Sequence, residues 1–358
     1  MVITMITHRL YWKDIEETAG LVLPWDKLQD SGMLISGASG LIGTFLVDTI
    51  MYRNRHHALN CHIYAIGRNR KKAALRFAAY EDSKEFHFIE QDINSGLDGN
   101  RIPPVDHIVH LASNTHPIAY ATDPVGTITT NITGTGNLLE FAVKYGCRRI
   151  AFASSNEIYG ENKGDIEVFD EDYCGYINCN TLRAGYPESK RCGEALCQAY
   201  IRQKGLDVVI PRLTRSYGPT MLMSDSKAIS QFIRKGLAGE DIVLKSEGNQ
   251  YYSYTYVADA VSGLLTVLLK GRCGEAYNIA DERSDIRLKD LAEYVAEVTG
   301  TRVVFELPDE MEKAGYSTAV TARLSGDKLK QLGWQAKYDM RSGIRQTLAI
   351  LKDHEGQA

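Results

Sequence analysis

The sequence predicts an α/β fold: a doubly wound parallel sheet with helices on both faces, and a smaller mixed α/β lobe beside it. Two observations predict it. Short apolar runs alternate with helical stretches as far as residue 205, and a glycine turn (Gly37, Gly40, Gly43) joins the first run to the first helix. Strands that alternate with helices pair in parallel, because each crossover needs a covering helix.

The elements follow in order. The first apolar run covers 33–36, and the pattern after the glycines is helical through 49. Four further runs lie at 63–66, 86–89, 107–111 and 149–153, separated by turns or by helical stretches, most clearly 71–80 and 128–145. Past residue 205 the alternation loosens. Residues 207–210 read as strand, 226–238 as helix, the β-former-rich 251–256 as strand, and 257–270, 288–298 and 341–352 as helices. Residues 1–31, with Trp12 and Trp25 in amphipathic spacing, read as a helical extension packed on the outside of the sheet.

Composition excludes several classes. The 358 residues carry 41 basic and 45 acidic side chains, a net charge of −4, which gives no footprint for nucleic acid. No apolar run approaches the roughly 18 residues that cross a bilayer. Arg9, Lys13, Asp14, Glu16 and Glu17 interrupt any signal-like stretch, so a cytoplasmic protein without a membrane partner is expected. The seven cysteines form no CxxC pair and the nine histidines no HExxH, so no metal is expected.

Only glycine lets a backbone approach a pyrophosphate closely, and the helix that follows offers free N–H groups to it. A tight turn without ligand is the plain alternative. The place of the turn between strand and helix meets the context of a Rossmann-type dinucleotide site, expected over 32–205, with a mainly substrate-binding lobe expected over 206–358 and segments crossing between them. The second strand ends at Arg68 with no carboxylate to bind a ribose 2′-OH. NAD and NADP both stay open, and Arg68 is the residue that would meet a 2′-phosphate.

Tyr186 and Lys190 are four apart and share a helix face. A neighbouring ammonium stabilises a phenolate and lowers the tyrosine pKa, although such a pair also occurs on ordinary helix surfaces. Upstream, Ser154, Ser155, Asn156 and Glu157 follow a strand end, where parallel sheets place their ligands.

Together with Tyr217-Gly-Pro219, these motifs occur in the order of the extended short-chain dehydrogenase/reductase family. Over roughly residues 32–350 the chain resembles its NAD-dependent epimerase/dehydratase branch, which acts on nucleotide sugars. The resemblance implies a cofactor held by Gly37, Ser39, Gly40, Leu41, Ile42 and Gly43. Asp92 and Ile93 would meet adenine, with Leu111, Ala112, Ser113, Asn131 and Ser154 along the cofactor. It implies that Tyr186 takes a proton from the sugar O4, that Lys190 tunes Tyr186 and holds the nicotinamide ribose, and that Ser155 bonds O4. Glu157 falls where related dehydratases and decarboxylases keep a functional carboxylate, a solvent-facing loop residue being the alternative. It also implies a homodimer through 128–145 and 182–204.

Three departures from that pattern matter. Asn156 replaces the aspartate by which 4,6-dehydratases protonate a leaving hydroxyl, and an amide is no acid. Arg215 stands where asparagine is usual, and Tyr252 replaces an arginine that usually meets the substrate diphosphate. All three count as substrate-binding candidates, and Arg215 suits a diphosphate or a carboxylate alike. The stretch 217–232 is similar to UDP-glucuronate decarboxylases, although Thr220 stands where they carry arginine. Decarboxylation of a nucleotide-diphosphate sugar through a 4-keto intermediate therefore leads, followed by 4,6-dehydration and then 4-epimerisation. A non-catalytic dinucleotide sensor is the alternative of another class, which retention of Ser155, Tyr186 and Lys190 opposes.

Overall fold

A computed structural model describes residues 7–115, 117–222, 225–306 and 320–355. Residues 1–6 of the expected extension, and 223–224, 307–319 and 356–358 of the expected second lobe, lie outside the described residues.

The first five strands are β1 (Gly32–Ser36), β2 (His62–Gly67), β3 (Phe86–Glu90), β4 (His107–His110) and β5 (Arg149–Phe152). After a break at Ala153 come β6 (Ser154–Ser155), β7 (Val208–Leu213), β8 (Arg215–Tyr217), β9 (Ile242–Leu244), β10 (Tyr251–Tyr256) and β11 (Ala276–Ile279). The last are β12 (Asp285–Arg287), β13 (Val303–Phe305) and β14 (Thr321–Ala322).

The main sheet has eight strands in the order β11-β7-β5-β4-β1-β2-β3, with β6 paired to β7. Every pairing in it is parallel. The central strand β1 is covered on both faces, so Met33, Leu34 and Ile35 have no exposure and the strand reads as one apolar run. The chain moves outward from β1 to β3 and returns at β4 on the other side of β1. That reversal opens a crevice at the carboxyl ends of β1 and β4. Strands β7 and β11 come from beyond residue 206, so segments pass between the sheet and the smaller lobe. In that lobe β10 pairs in parallel with β8 and β14 and antiparallel with β12, while β9 pairs with β13. No helix among the described residues is long and apolar enough to cross a membrane.

Two expected helices are divided. The stretch 71–80 is the helix Arg70–Arg76 followed by a 3₁₀ turn, Ala78–Tyr80. The stretch 128–145 is a helix ending at Thr129, a π-turn Thr130–Gly134 and the helix Thr135–Tyr145. A Cβ at Gly134 would stand 2.7 Å from the Ile93 side chain, so this turn packs tightly on the chain beyond β3. Such turns frequently mark functional sites.

The extension folds as the helix Arg9–Ala19 and lies on the helix Leu41–His57 that leaves the glycine turn. Tyr11 and Tyr80 donate to the buried carboxylate of Asp48 at 2.5 and 2.8 Å. Asp14 accepts from Tyr256 at 2.7 Å and from Tyr338, which ties the extension to the second lobe as well. Burial raises the Asp48 carboxyl from 3.8 to about 6, against the bonds from Tyr11 and Tyr80 and the charge of Arg76. A raised folded pKa contributes stability that is complete below the unfolded value and is lost as pH rises through the folded one. Asp48→Asn cannot ionise, so its urea midpoint should gain on that of the native chain between about pH 4 and about pH 6, with a constant difference above that window. A difference that stayed flat across the window would contradict the assignment.

Candidate active site

The crevice is a cleft of about 440 Å³. Its floor is the glycine turn. Gly37 adopts φ +74°, and a Cβ there would stand 2.7 Å from the Ala112 nitrogen, so β1 and β4 approach each other only because this residue has no side chain. A Cβ at Gly43 would collide with the Gly37 carbonyl. Gly40 differs: its Cβ would meet only the Gly37 oxygen, at 3.3 Å, with the cleft ahead of it. Gly40 also starts the helix Leu41–His57 without a side-chain cap, leaving the first-turn N–H groups and the positive dipole end for an anion. Ser39, Leu41 and Ile42 line the cleft with these glycines. The turn fits a dinucleotide pyrophosphate.

At one end lie Arg68, Asp92 and Ile93, and past β4 lie Leu111, Ala112 and Ser113. Arg68 is exposed, and Lys72 stands near it on the wall. Asp92 accepts from the Asn94 N–H at 2.9 Å, which fixes the turn that carries Ile93. Asn131 does not reach the cleft wall. It is fully buried in the π-turn, donates to Ser189 Oγ at 2.9 Å, and Ser189 in turn donates to the Tyr186 carbonyl at 2.8 Å. Its position holds the helix that carries Tyr186.

The other end holds Ser154, Ser155, Asn156, Glu157, Tyr186, Lys190 and Arg215. The break at Ala153 presents a carbonyl to which Lys190 Nζ donates at 2.8 Å. Ser155 caps the next turn, accepting from the Glu157 N–H at 3.2 Å, and its hydroxyl lies beside the Tyr186 phenol. Ser154 Oγ is buried and has no hydrogen-bond partner among the described residues. Burial lowers the Lys190 ammonium from 10.5 to about 8, against the charge of Glu194. Burial also raises Tyr186 above its ordinary value, opposed by the Ser155 hydroxyl and the Arg183 charge and reinforced by Glu157. In the protein alone Lys190 is not among the groups that set this direction. Desolvation outweighs the neighbouring charges, and the ammonium is turned to a carbonyl.

Glu157 does not face solvent. It pairs with Arg183, and both side chains are largely buried. The Arg183 guanidinium lies 4.7 Å from the Tyr120 ring, which stacks on Tyr186 at 4.9 Å. The sequence reading missed Arg183 and Tyr120. Arg183 lies three residues before Tyr186, a spacing that shares a helical face, whereas nothing local marks Tyr120.

A second cavity of about 210 Å³ adjoins the cleft, sharing Tyr120, Glu157, Arg215 and Lys227 with it. Tyr252 lines this cavity rather than the cleft. Strand β8 pairs with β10 so that Arg215 faces Tyr254, and its guanidinium lies 3.6 Å over the Tyr252 ring. A cation from the neighbouring strand therefore covers the position where the resemblance expects arginine. Thr220 does not enter the cleft. It is fully buried, donates to the Leu41 carbonyl at 2.9 Å and accepts from Arg76 at 3.2 Å.

Comparison with known proteins follows the same lines. The NAD dependent epimerase/dehydratase family matches residues 33–280. The chain is 32% identical over 318 residues to UDP-glucuronic acid decarboxylase 3 of Arabidopsis thaliana, covering 87% of this chain and 86% of that protein. It is 29% identical to UDP-glucuronic acid decarboxylase 1 of Xenopus tropicalis, covering 91% and 73%. Among solved structures, a dTDP-glucose 4,6-dehydratase variant from Streptomyces venezuelae with NAD bound superposes with a TM-score of 0.78 at 24% identity, over 91% of this chain and 98% of that one. UDP-glucuronic acid 4-epimerase from Bacillus cereus gives 0.77 at 21% identity, over 90% and 99%. At these identities the two structures share the fold.

Gly40→Val is expected to abolish dinucleotide binding in calorimetry while leaving the circular dichroism spectrum unchanged, because the added side chain grows into the cleft and its one close backbone contact is the Gly37 oxygen at 3.3 Å. Retained binding in the folded variant would remove the glycine turn from the cofactor site.

Proposed function

The chain belongs to the NAD-dependent epimerase/dehydratase family, and from that membership we propose that it is a nucleotide-sugar lyase of the UDP-glucuronate decarboxylase type, working through a 4-keto sugar. One observation carries the choice of reaction: the groups for O4 chemistry (Ser155, Tyr186 and Lys190) share one end of the cleft, while the adjacent Asn156 cannot act as an acid. A dehydratase must protonate a leaving hydroxyl; loss of carbon dioxide needs no such donor. The decarboxylase relatives in Arabidopsis thaliana and Xenopus tropicalis support the same choice. The charged residues lining the second cavity are Arg183, Arg215, Lys227 and Lys245 against Glu157, which suits a diphosphate and an acidic sugar.

Gly37, Gly40 and Gly43 would hold the pyrophosphate of NAD, Asp92 the adenine end and Lys190 the nicotinamide ribose. When bound, NAD would supply reversible hydride chemistry at C4. Tyr186 accepts the proton of the O4 hydroxyl, and Ser155 holds O4 in line. With a carbonyl at C4, the bond from C5 to the carboxylate can break. The electron pair passes into the C4 carbonyl oxygen, where the Ser155 hydroxyl and the now protonated Tyr186 donate hydrogen bonds. Carbon dioxide leaves, a proton from solvent takes its place at C5, and Tyr186 returns its proton to O4 as C4 would regain hydride. Glu157 assists the steps at C5 by its place at the sugar end of the cleft.

A homodimer through 128–145 and 182–204 belongs to the same reading. Ile128 and Leu182 expose apolar surface at the starts of these segments. Light scattering should return twice the chain mass at micromolar concentration, and the mass of one chain alone would remove the claim.

Mass spectrometry after incubation with UDP-glucuronate is expected to show loss of carbon dioxide. Glu157→Gln should still reduce nicotinamide but stall afterwards, with product formation slowed about 10²–10⁴-fold. Normal turnover in that variant would make Glu157 a bystander and favour 4-epimerisation.

A further inference from the structure

Arg183 uses little of its hydrogen-bonding capacity. Its Nη2 donates to Glu157, whereas its Nε and Nη1 are buried and have no partner among the described residues. A buried donor left unmet is unfavourable, so a side chain that keeps two of them suits an acceptor that arrives with a ligand. The guanidinium is held in place while it waits. Glu157 grips one edge, and the Tyr120 ring lies 4.7 Å from Cζ.

The location restricts the ligand. Tyr120 stacks between Arg183 and Tyr186, so the guanidinium is one aromatic ring away from the phenol that meets O4. Arg183 lines the second cavity together with Glu157, Arg215 and Tyr252. A planar fork of N–H donors matches a carboxylate better than any neutral sugar hydroxyl. In a uronate the carboxylate sits on C5, next to the carbon whose oxygen Tyr186 would address.

We propose that Arg183 is the specificity residue of this site: its unused donors take the carboxylate of the acidic sugar while Nη2 keeps Glu157 in place. The inference rests on the uronate reading above and adds to it the residue that distinguishes an acidic from a neutral sugar.

The test compares UDP-glucuronate with UDP-glucose by calorimetry on the NAD-loaded protein. Arg183→Gln is expected to lose about tenfold or more in affinity for UDP-glucuronate, the usual size of a lost charge-assisted bond, with UDP-glucose changed much less. A purely structural role would weaken both ligands by the same factor, and that result, or no change in either, overturns the proposal. Should Arg183→Gln not fold, Arg183→Lys is read in the same way. Charge without the planar fork should lower the preference for the uronate, and an unchanged preference overturns the proposal. A native protein that leaves the mass of UDP-glucuronate unaltered sinks the uronate reading itself. A native protein that decarboxylates it, beside an Arg183→Gln variant that still prefers it, sinks only the role of Arg183.

Discussion

The hydrogen bond from the Lys190 ammonium to the Ala153 carbonyl places the rest of the site. An ammonium with 2% exposure is unfavourable unless it is bonded, and the break between β5 and β6 supplies the acceptor. Strand end and helix are thereby locked together. Two residues beyond that carbonyl stands the Ser155 hydroxyl, and one helical turn before the ammonium stands the Tyr186 phenol, so one bond aligns three groups. The buried line from Asn131 through Ser189 to the Tyr186 carbonyl braces the same helix from behind. Burial of the pair disfavours charge on both, which is why Lys190 falls to about 8 while Tyr186 rises. Lys190 is thereby held close to a proton exchange, whereas Tyr186 rests as the neutral phenol in the protein alone.

Charge at the sugar end has been redistributed rather than lost. Tyr252 cannot carry the positive charge that the resemblance leads one to expect there, but parallel pairing of β8 with β10 lays Arg215 across its ring. A guanidinium stacked on an aromatic face keeps its in-plane donors available. The position of Thr220 shows the opposite case. Its hydroxyl joins Leu41, the first residue of the helix after the glycine turn, and its carbonyl joins Arg76 of the helix Arg70–Arg76 to the second lobe, so the position serves as a fastener between lobes.

Much of this architecture was legible from local pattern. The glycine turn, the parallel alternation and the Tyr186–Lys190 spacing are short-range signals, each with a physical reason that needs no tertiary context. What was not legible depended on distant partners. Strands β6, β8, β9 and β11–β14 have two to four residues, too few for alternation to show. The π-turn at Thr130–Gly134 answers to Ile93 and Ser189, far away in sequence. Glu157 could be placed on its loop, but its partner Arg183 and the Tyr120 ring between Arg183 and Tyr186 come together only in the fold. The upward shift of Tyr186 likewise follows from burial, which spacing alone does not reveal.

The central claim is that Tyr186 opens the reaction by taking the O4 proton as C4 is oxidised. Rapid mixing of the NAD-loaded protein with UDP-glucuronate, followed at the absorbance of reduced nicotinamide, tests it most directly in Tyr186→Phe beside the native chain. The account predicts that the phenylalanine variant binds both molecules in calorimetry yet gives no reduced nicotinamide, because the hydroxyl that would receive the O4 proton is gone. Reduced nicotinamide formed by the variant at the native rate would contradict it.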